Sequence, residues 1–502
     1  MRKWITLALF AALATPLAAA ENKPGTLEAA TEALGADRIR SVEFSGTGYW
    51  YQFGQEPDPN APPPQFAVTS YTASMDYNSA TSHIQRVAHQ LLDPTRWRPV
   101  PLVAPGNGGG DGNQEFVAGG IAWILGAPGG PATGLAATAI TDAKNAEERT
   151  MEIWATPQGF LRAAAVNHAT TKPINGGGTE VTFLMGKHKV IGKINARNEV
   201  YLVSYWIDNP VLGDMLCQAG FTEYRDFGGI VFPAHLVRVM GNKVRLDLNI
   251  SSVKPNAPVV IPVPEGMREA QTAPVKVTTD KLADGIYWLK GFQWHSVAVE
   301  QGDHIVMIDA PLDEDRSLAV IAKTKELIPN KPITYLINTH AHFDHAGGVR
   351  TYAAQGATIV AHPIAQAFYE RVWRNPHTLN PDLMETSKKT AKFLTVTNGK
   401  LVLNDPKRPV EIYEQLNMGH SDSMVFAYLP VEKFLVQADS WNTEALSAPR
   451  LDTIGGEYVN PYNVNLYDNI VRLGLDMRLM IPLHGPRTTT MQELKDVILL
   501  PQ

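Results

Sequence analysis

Two hydrophobic rhythms divide the chain. Up to about residue 272, apolar positions recur mainly with period two. Val244-Arg245-Leu246-Asp247-Leu248-Asn249-Ile250 alternates as a strand with one buried face should. Val200 to Ile207 and Gly229 to Val239 are rich in β-branched and aromatic residues, and Asn-Pro, Gly-Gly and Gly-Asn pairs between such runs mark hairpins. A short helix is expected at Ala29 to Ala36. The pattern predicts a mostly antiparallel β domain over residues 21–272. Pro57 to Pro64 and the glycine-rich Pro105 to Gly134 read as exposed loops, and Pro255 to Pro264 as the end of this domain or a linker. Gly106-Asn107-Gly108-Gly109-Gly110 does not open a helix after a strand, so no phosphate cradle is expected there.

From residue 273 to 502 the rhythm mixes. Short apolar runs (Ile286 to Leu289, Val297 to Val299, Ile305 to Ile308, Ile333 to Asn338) have the length of buried strands. Leu312 to Leu327, Ile364 to Trp373 and Asn465 to Leu473 carry apolar residues at helical spacing. An α+β chain with a second, mixed domain is expected. The polar stretch Arg374 to Lys392 and the loop from Trp441 to Tyr462 are the expected walls of any site in that domain.

The start of the chain modifies this picture. Met1-Arg2-Lys3, an apolar run from Trp4 to Pro16 and Leu17-Ala18-Ala19-Ala20 have the form of a signal peptide over residues 1–20, with cleavage after Ala20. The run is too short for a comfortable membrane span. The expectation is export, most simply to the periplasm. The formal charge is −6, and losing Arg2 and Lys3 with the signal makes it −8. That acidity, with no run of Lys or Arg, argues against nucleic-acid binding and favours a small-molecule substrate. One cysteine allows no internal disulfide.

Candidate chemistry is concentrated in Thr339-His340-Ala341-His342-Phe343-Asp344-His345-Ala346-Gly347-Gly348. Three imidazoles and a carboxylate occupy six consecutive positions directly after a strand-like run. Imidazole nitrogen and carboxylate oxygen are preferred ligands of zinc and related metals. His340 and His342, two apart in an extended loop, can turn toward one ion, while Asp344 and His345 at the mouth of the next helix can face a second. Further candidates follow: His420 in Met418-Gly419-His420-Ser421, Asp439 in Ala438-Asp439-Ser440, and His484 in Pro482-Leu483-His484-Gly485-Pro486. Asp439 and His484 each end an apolar run, where loops carry polar groups on a rigid scaffold. Asp309, closing Ile305 to Ile308, is a candidate to orient a ligating histidine. No Gly-x-Ser-x-Gly elbow or other nucleophile is evident.

Thr-His-Ala-His-Phe-Asp-His-Ala-Gly-Gly with Gly-His-Ser, Ala-Asp-Ser and Pro-Leu-His-Gly-Pro resembles the metallo-β-lactamase superfamily, over roughly residues 275 to 500. The resemblance implies a C-terminal αββα sandwich with a dinuclear site at one edge. It implies that His340, His342 and His420 hold one zinc ion, that Asp344, His345 and His484 hold the other, and that Asp439 bridges them, with Ser440 as the alternative at that place. Asp344 would also orient the nucleophile. Zinc is the expected metal, iron or manganese the alternatives. Cys217 lies far from these residues, so the cysteine-ligated lactamase subclasses are not expected. The implied activity is hydrolysis of an ester, lactone, thioester or amide. The alternatives are a periplasmic β-lactamase of the cysteine-free subclass, which Leu446-Ser447-Ala448-Pro449 also resembles, and an iron-dependent oxidoreductase. Phe221 to Pro233 is similar to a pattern of periplasmic lipoprotein-carrier domains, which would imply lipid or acyl-chain contact. The plainer expectation is that the β domain shapes the mouth of the active site.

Overall fold

The computed structural model describes residues 23–91, 113–126, 138–291, 293–443 and 460–498. The signal-like segment, both ends of the glycine-rich stretch and Leu446 to Pro449 lie outside the described residues. No helix among the described residues is long and apolar enough to cross a membrane.

The period-two segments form one antiparallel sheet of 13 strands. It also takes in Asn113–Ala118 and Ile121–Gly126 from the glycine-rich stretch read as an exposed loop, where Val117, Ala122 and Trp123 are buried. Six strands, from Ser41–Tyr51 to Thr138–Thr141, run in sequence to one edge, and seven, from Thr170–Ile174 to Lys243–Pro255, form the other side. The first and last of these strands pair, joining the two halves. Gly213–Asp226 shows why the sheet forms: buried and half-buried residues alternate through its first nine positions, laying one face on the core. Helices Ala146–Trp154 and Pro157–Val166 pack into that core. Thr156 caps the second, its hydroxyl accepting from Gly159 N, and proline takes the first helical position, where no amide is needed. Phe160 on this helix is fully buried.

The C-terminal half is a four-layer sandwich. Its first sheet has seven strands in the order Thr278–Ala283, Ile286–Lys290, His295–Glu300, Ile305–Ile308, Ile333–Ile337, Thr358–Ala361, Lys392–Thr395, and the last three pairings are parallel. The second has five strands, from Lys400–Leu403 to Leu479–Pro482. Ile308, Ile337 and Val360 of the first sheet meet Val425, Val436 and Ile481 of the second in a shared core. Glu314–Leu327, Val349–Gln355 and Pro363–Val372 bury apolar residues against the outer face of the first sheet, and Pro461–Arg472 and Met491–Val497 do so on the second. The chain is thus α+β, with the large antiparallel sheet in its N-terminal part.

The helices lie where their spacing put them, with shifts of a few residues at the ends: Leu27–Ala33, Glu314–Leu327, Pro363–Val372 and Pro461–Arg472. Pro57 to Pro64 departs from expectation. Glu56, Pro57 and Pro63 are buried, because this loop reaches across to the C-terminal half. Phe343 N donates to Gly54 O at 3.1 Å and Asp422 N to Pro57 O at 2.7 Å. Arg371 donates to Asn60 Oδ1 at 2.6 Å.

A candidate metal centre at the strand ends

Backbone order brings the polar residues together. Ile305–Ile308 ends at Asp309, Ile333–Ile337 leads into Thr339 and His340, Phe434–Gln437 leads to Asp439, and Leu479–Pro482 to His484. Ends of parallel strands are where an open sheet leaves room for a site. Asp309 and Asp439 both adopt left-handed backbone conformations, φ 60° and 54°, a strained geometry for non-glycine residues that recurs at functional sites. Asn338 braces the histidine loop: its side chain donates to His345 O at 3.2 Å and accepts from Tyr369 Oη at 2.6 Å.

Three groups of side chains present ligand atoms within 4.8 Å of one another: His340, His342 and His420; His340, His345 and Asp439; Asp344, His345 and His484. All seven residues singled out in the sequence are therefore in one cluster. His345 Nε2 lies 2.8 Å from Asp439 Oδ2 and 2.9 Å from His484 Nε2. Asp439 Oδ2 is 3.3 Å from His340 Nε2 and 3.5 Å from His420 Nε2.

Hydrogen bonds on the far side of each ring decide which nitrogen faces inward. His345 Nδ1 donates to Asp309 Oδ2 at 2.7 Å and His484 Nδ1 to the Gln293 carbonyl at 3.1 Å. Thr339 donates its hydroxyl to Asp309 at 2.8 Å, so toward His340 Nδ1, 3.1 Å away, it accepts. His342 Nε2 donates to the Glu56 carbonyl at 3.0 Å. Each outer nitrogen carries a proton, which turns His340 Nε2, His342 Nδ1, His345 Nε2 and His484 Nε2 inward as the nitrogens available to an ion. His340 Nε2 is buried and has no hydrogen-bond partner. Ring nitrogens this close need a proton or a metal ion between them, and several of them turned to one point beside two carboxylates form a donor set that fits a metal ion.

The electrostatics agree. Burial, with His345 and His342 alongside, holds His340 well below the ordinary histidine range. Burial also disfavours charge on His345, but Asp439, Asp344 and Asp309 outweigh it and hold its proton affinity high. Burial opposes ionisation of Asp439, yet His484, His345 and His420 keep its carboxylate ionised. Asp344 is likewise held low. The cluster as it stands attracts positive charge.

Residues 289–430 match the model of the metallo-beta-lactamase superfamily. The chain carries a metallo-β-lactamase domain in its C-terminal half. A 71-residue segment is 31% identical to a linear primary-alkylsulfatase of Pseudomonas sp, covering 14% of this chain. The chain spans only 10% of that relative's length. Similar solved structures include the metallo-beta-lactamase FIM-1 of Pseudomonas aeruginosa in its mono-zinc form (17% identity, 45% of this chain and 95% of that one, TM-score 0.34). The metallo-beta-lactamases of Pontibacter korlensis (17%, 45% and 98%, TM-score 0.33) and Hirschia baltica (17%, 44% and 96%, TM-score 0.33) are others.

At the candidate site of this metallo-β-lactamase domain, Asp309 makes the expected bond to a histidine, accepting from His345 Nδ1. Ser440 is engaged elsewhere: its hydroxyl donates to Gln415 Oε1 at 2.8 Å. Cys217 is buried in the N-terminal sheet, and burial pushes its thiol well up. Three participants escaped sequence reasoning. Gln55 Nε2 donates to Asp344 Oδ1 at 2.6 Å, Trp294 Nε1 donates to Asp344 Oδ2 at 3.0 Å, and Glu56 offers its carbonyl to His342. Gln55 and Glu56 belong to the N-terminal half. Their only local signal was a Gln-Glu pair ahead of a proline-rich turn, which resembles any surface loop.

Proposed function

We propose that this protein is an exported, zinc-dependent hydrolase of ester, lactone, thioester or amide bonds. His340, His342 and His420 would hold one ion, Asp344, His345 and His484 a second, and Asp439 would lie between them. The observation that carries this reading is the convergence of three groups of ligand atoms, each within 4.8 Å, with the outer nitrogens of His345 and His484 already donating elsewhere. Zinc held by these residues would activate water at neutral pH and act as a Lewis acid toward the oxygen of the scissile bond. Asp344, held from both oxygens by Gln55 and Trp294, has one orientation toward the cluster. The loop at Gly54 to Pro57 lies against His342, whose Nε2 donates to the Glu56 carbonyl. Because one similar segment belongs to an alkylsulfatase, sulfate esters join the candidate substrates.

The test is elemental analysis of the purified protein, then turnover of cephalosporin, lactone, thioester, phosphodiester and sulfate-ester substrates. About two zinc per chain, with hydrolysis abolished in His342→Ala, is expected. Iron with oxygen-dependent turnover, or full activity in His342→Ala, would overturn the reading.

A further inference from the structure

A cavity of about 350 Å³ lies against the 13-stranded sheet and runs on to Gln55, Trp294, Phe343 and Asp344 at the metal cluster. Four arginines line it: Arg86, Arg149, Arg238 and Arg245. Three have carboxylate partners. Arg86 pairs with Glu115 at 2.7 Å, Arg238 with Glu152 at 2.7 Å, and Arg149 with Asp142. These pairs tie the helix Ala146–Trp154 and its neighbouring strands together, and a structural role accounts for them.

Arg245 is different. It donates Nη1 to the Tyr51 carbonyl at 2.9 Å, and among the described residues no carboxylate lies within ion-pair distance of it. Its guanidinium lies 4.7 Å from the Trp50 ring centre, and that of Arg86 lies 4.6 Å from the same ring. Two like charges thus share one indole. Arg86 is 5% exposed, and its Nε is buried without a hydrogen-bond partner. Burial, with Arg86 as a repelling neighbour, lowers the proton affinity of Arg245, with Glu148 and Glu115 acting against this. Arg245 is half-buried and lines the cavity without an ion pair, and the planar donors of a guanidinium suit an oxyanion. The remaining walls are mixed: Phe53, Ile84, Ile124, Leu125 and Trp294 are apolar, and Gln52, Gln114 and Asn209 are polar. Glu148 makes no ion pair among the described residues, burial holding it toward its neutral form.

We infer that this cavity holds the anionic end of the substrate, a small amphipathic molecule whose carboxylate or similar oxyanion pairs with Arg245 while its scissile bond reaches Asp344. The metal end of this arrangement rests on the hydrolase reading; the anion site does not. The volume suits one small ligand, since pockets for drug-sized molecules begin near roughly 300 Å³.

Two measurements separate the claims. Calorimetric titration of the metal-loaded full chain with benzoate and with benzamide probes the anion site alone. Benzoate is expected to bind at least tenfold more tightly than the neutral amide, and at least tenfold more weakly to Arg245→Gln than to the unsubstituted chain, at equal metal content. Equal binding of the two probes, no binding of benzoate, or benzoate binding indifferent to Arg245→Gln (an anion on the metals) would overturn the inference. If the variant does not fold, benzoate titration of the chelator-treated, metal-free chain decides: binding retained there supports the cavity site, and binding lost there puts the anion on the metals and overturns it. Hydrolysis of the mono-4-nitrophenyl ester of glutaric acid against 4-nitrophenyl pentanoate then joins the two sites. A tenfold or greater kcat/KM preference for the anionic ester, collapsing in Arg245→Gln, is expected. Equal turnover of both esters removes the anion site and keeps the hydrolase; Arg245-dependent benzoate binding with neither ester cleaved does the reverse.

Discussion

Gln55 Nε2 donates to Asp344 Oδ1 at 2.6 Å, across 289 residues of sequence. A side chain of the N-terminal half thereby orients a carboxylate of the candidate metal cluster, and Trp294 holds the other oxygen at 3.0 Å. The β-rich half is part of the site rather than an appendage to it. Outer partners of metal ligands are worth about 10–100-fold in metal affinity or activity. Gln55→Ala should therefore lose about tenfold or more in kcat/KM or in zinc affinity, read by turnover and chelator competition. A variant matching the parent in both would show that the contact is incidental.

Gly54 anchors that loop. Its φ is +81°, and a Cβ there would lie 2.9 Å from the Phe343 ring, closer than side-chain carbons approach. Backbone strain of this kind costs about 1–3 kcal/mol, and overpacking adds a similar amount. Gly54→Ala should lower the melting temperature and, by moving Gln55 and Glu56, reduce turnover as well. Calorimetry with an unchanged melting temperature would refute the argument.

Asp309 accepts from Thr339 N, from the Thr339 hydroxyl and from His345 Nδ1, and it is fully buried. Asp309→Ala would leave the His345 ring free to take its other tautomer and place a proton where a metal should bind. Zinc affinity should fall about 10–100-fold. Competition with a chromophoric chelator measures this directly, and parental affinity in the variant would contradict it.

Metal should also stabilise the folded chain. A ligand that binds only the native state, at 100 times its dissociation constant, adds about 2.7 kcal/mol. Chelator treatment should lower the melting temperature, and adding zinc back should restore it. The chelator should lower the melting temperature of His342→Ala by less than that of the parent, because one of the two ion sites has lost a ligand. Equal shifts in parent and variant would place the stabilising metal elsewhere.

Glu148, in the arginine-lined cavity, is pushed up from 4.5 to about 7, first by burial, with Arg245 opposing and Glu152 and Glu115 reinforcing. The folded state therefore keeps a proton that the unfolded chain releases. This contribution is fully present below about pH 4.5 and is lost as pH rises toward about 7. In Glu148→Gln that loss disappears. The stability of the variant relative to the parent should climb between those pH values and level off above them. Denaturation curves at stepped pH values give the answer; a flat difference would contradict it.

Much of this protein was legible as sequence because the decisive signals are local. Period-two alternation in Lys243–Pro255 and Gly213–Asp226 reports a strand with one buried face, and the helical spacing of Glu314–Leu327 reports a helix on a sheet. Imidazoles two and five residues apart after a strand announce a metal site because ligand spacing is a short-range property of the backbone. His420, Asp439 and His484 could be named because each stands in a short, distinctive setting. What only the tertiary structure decided is which groups meet from far apart: Gln55 with Asp344, Glu56 O with His342, Arg245 with Trp50. Their partners are set by how a 13-stranded sheet seats against a sandwich, and no local periodicity encodes that packing. A buried loop and an exposed one can share the same prolines; only the surface that covers the loop distinguishes them.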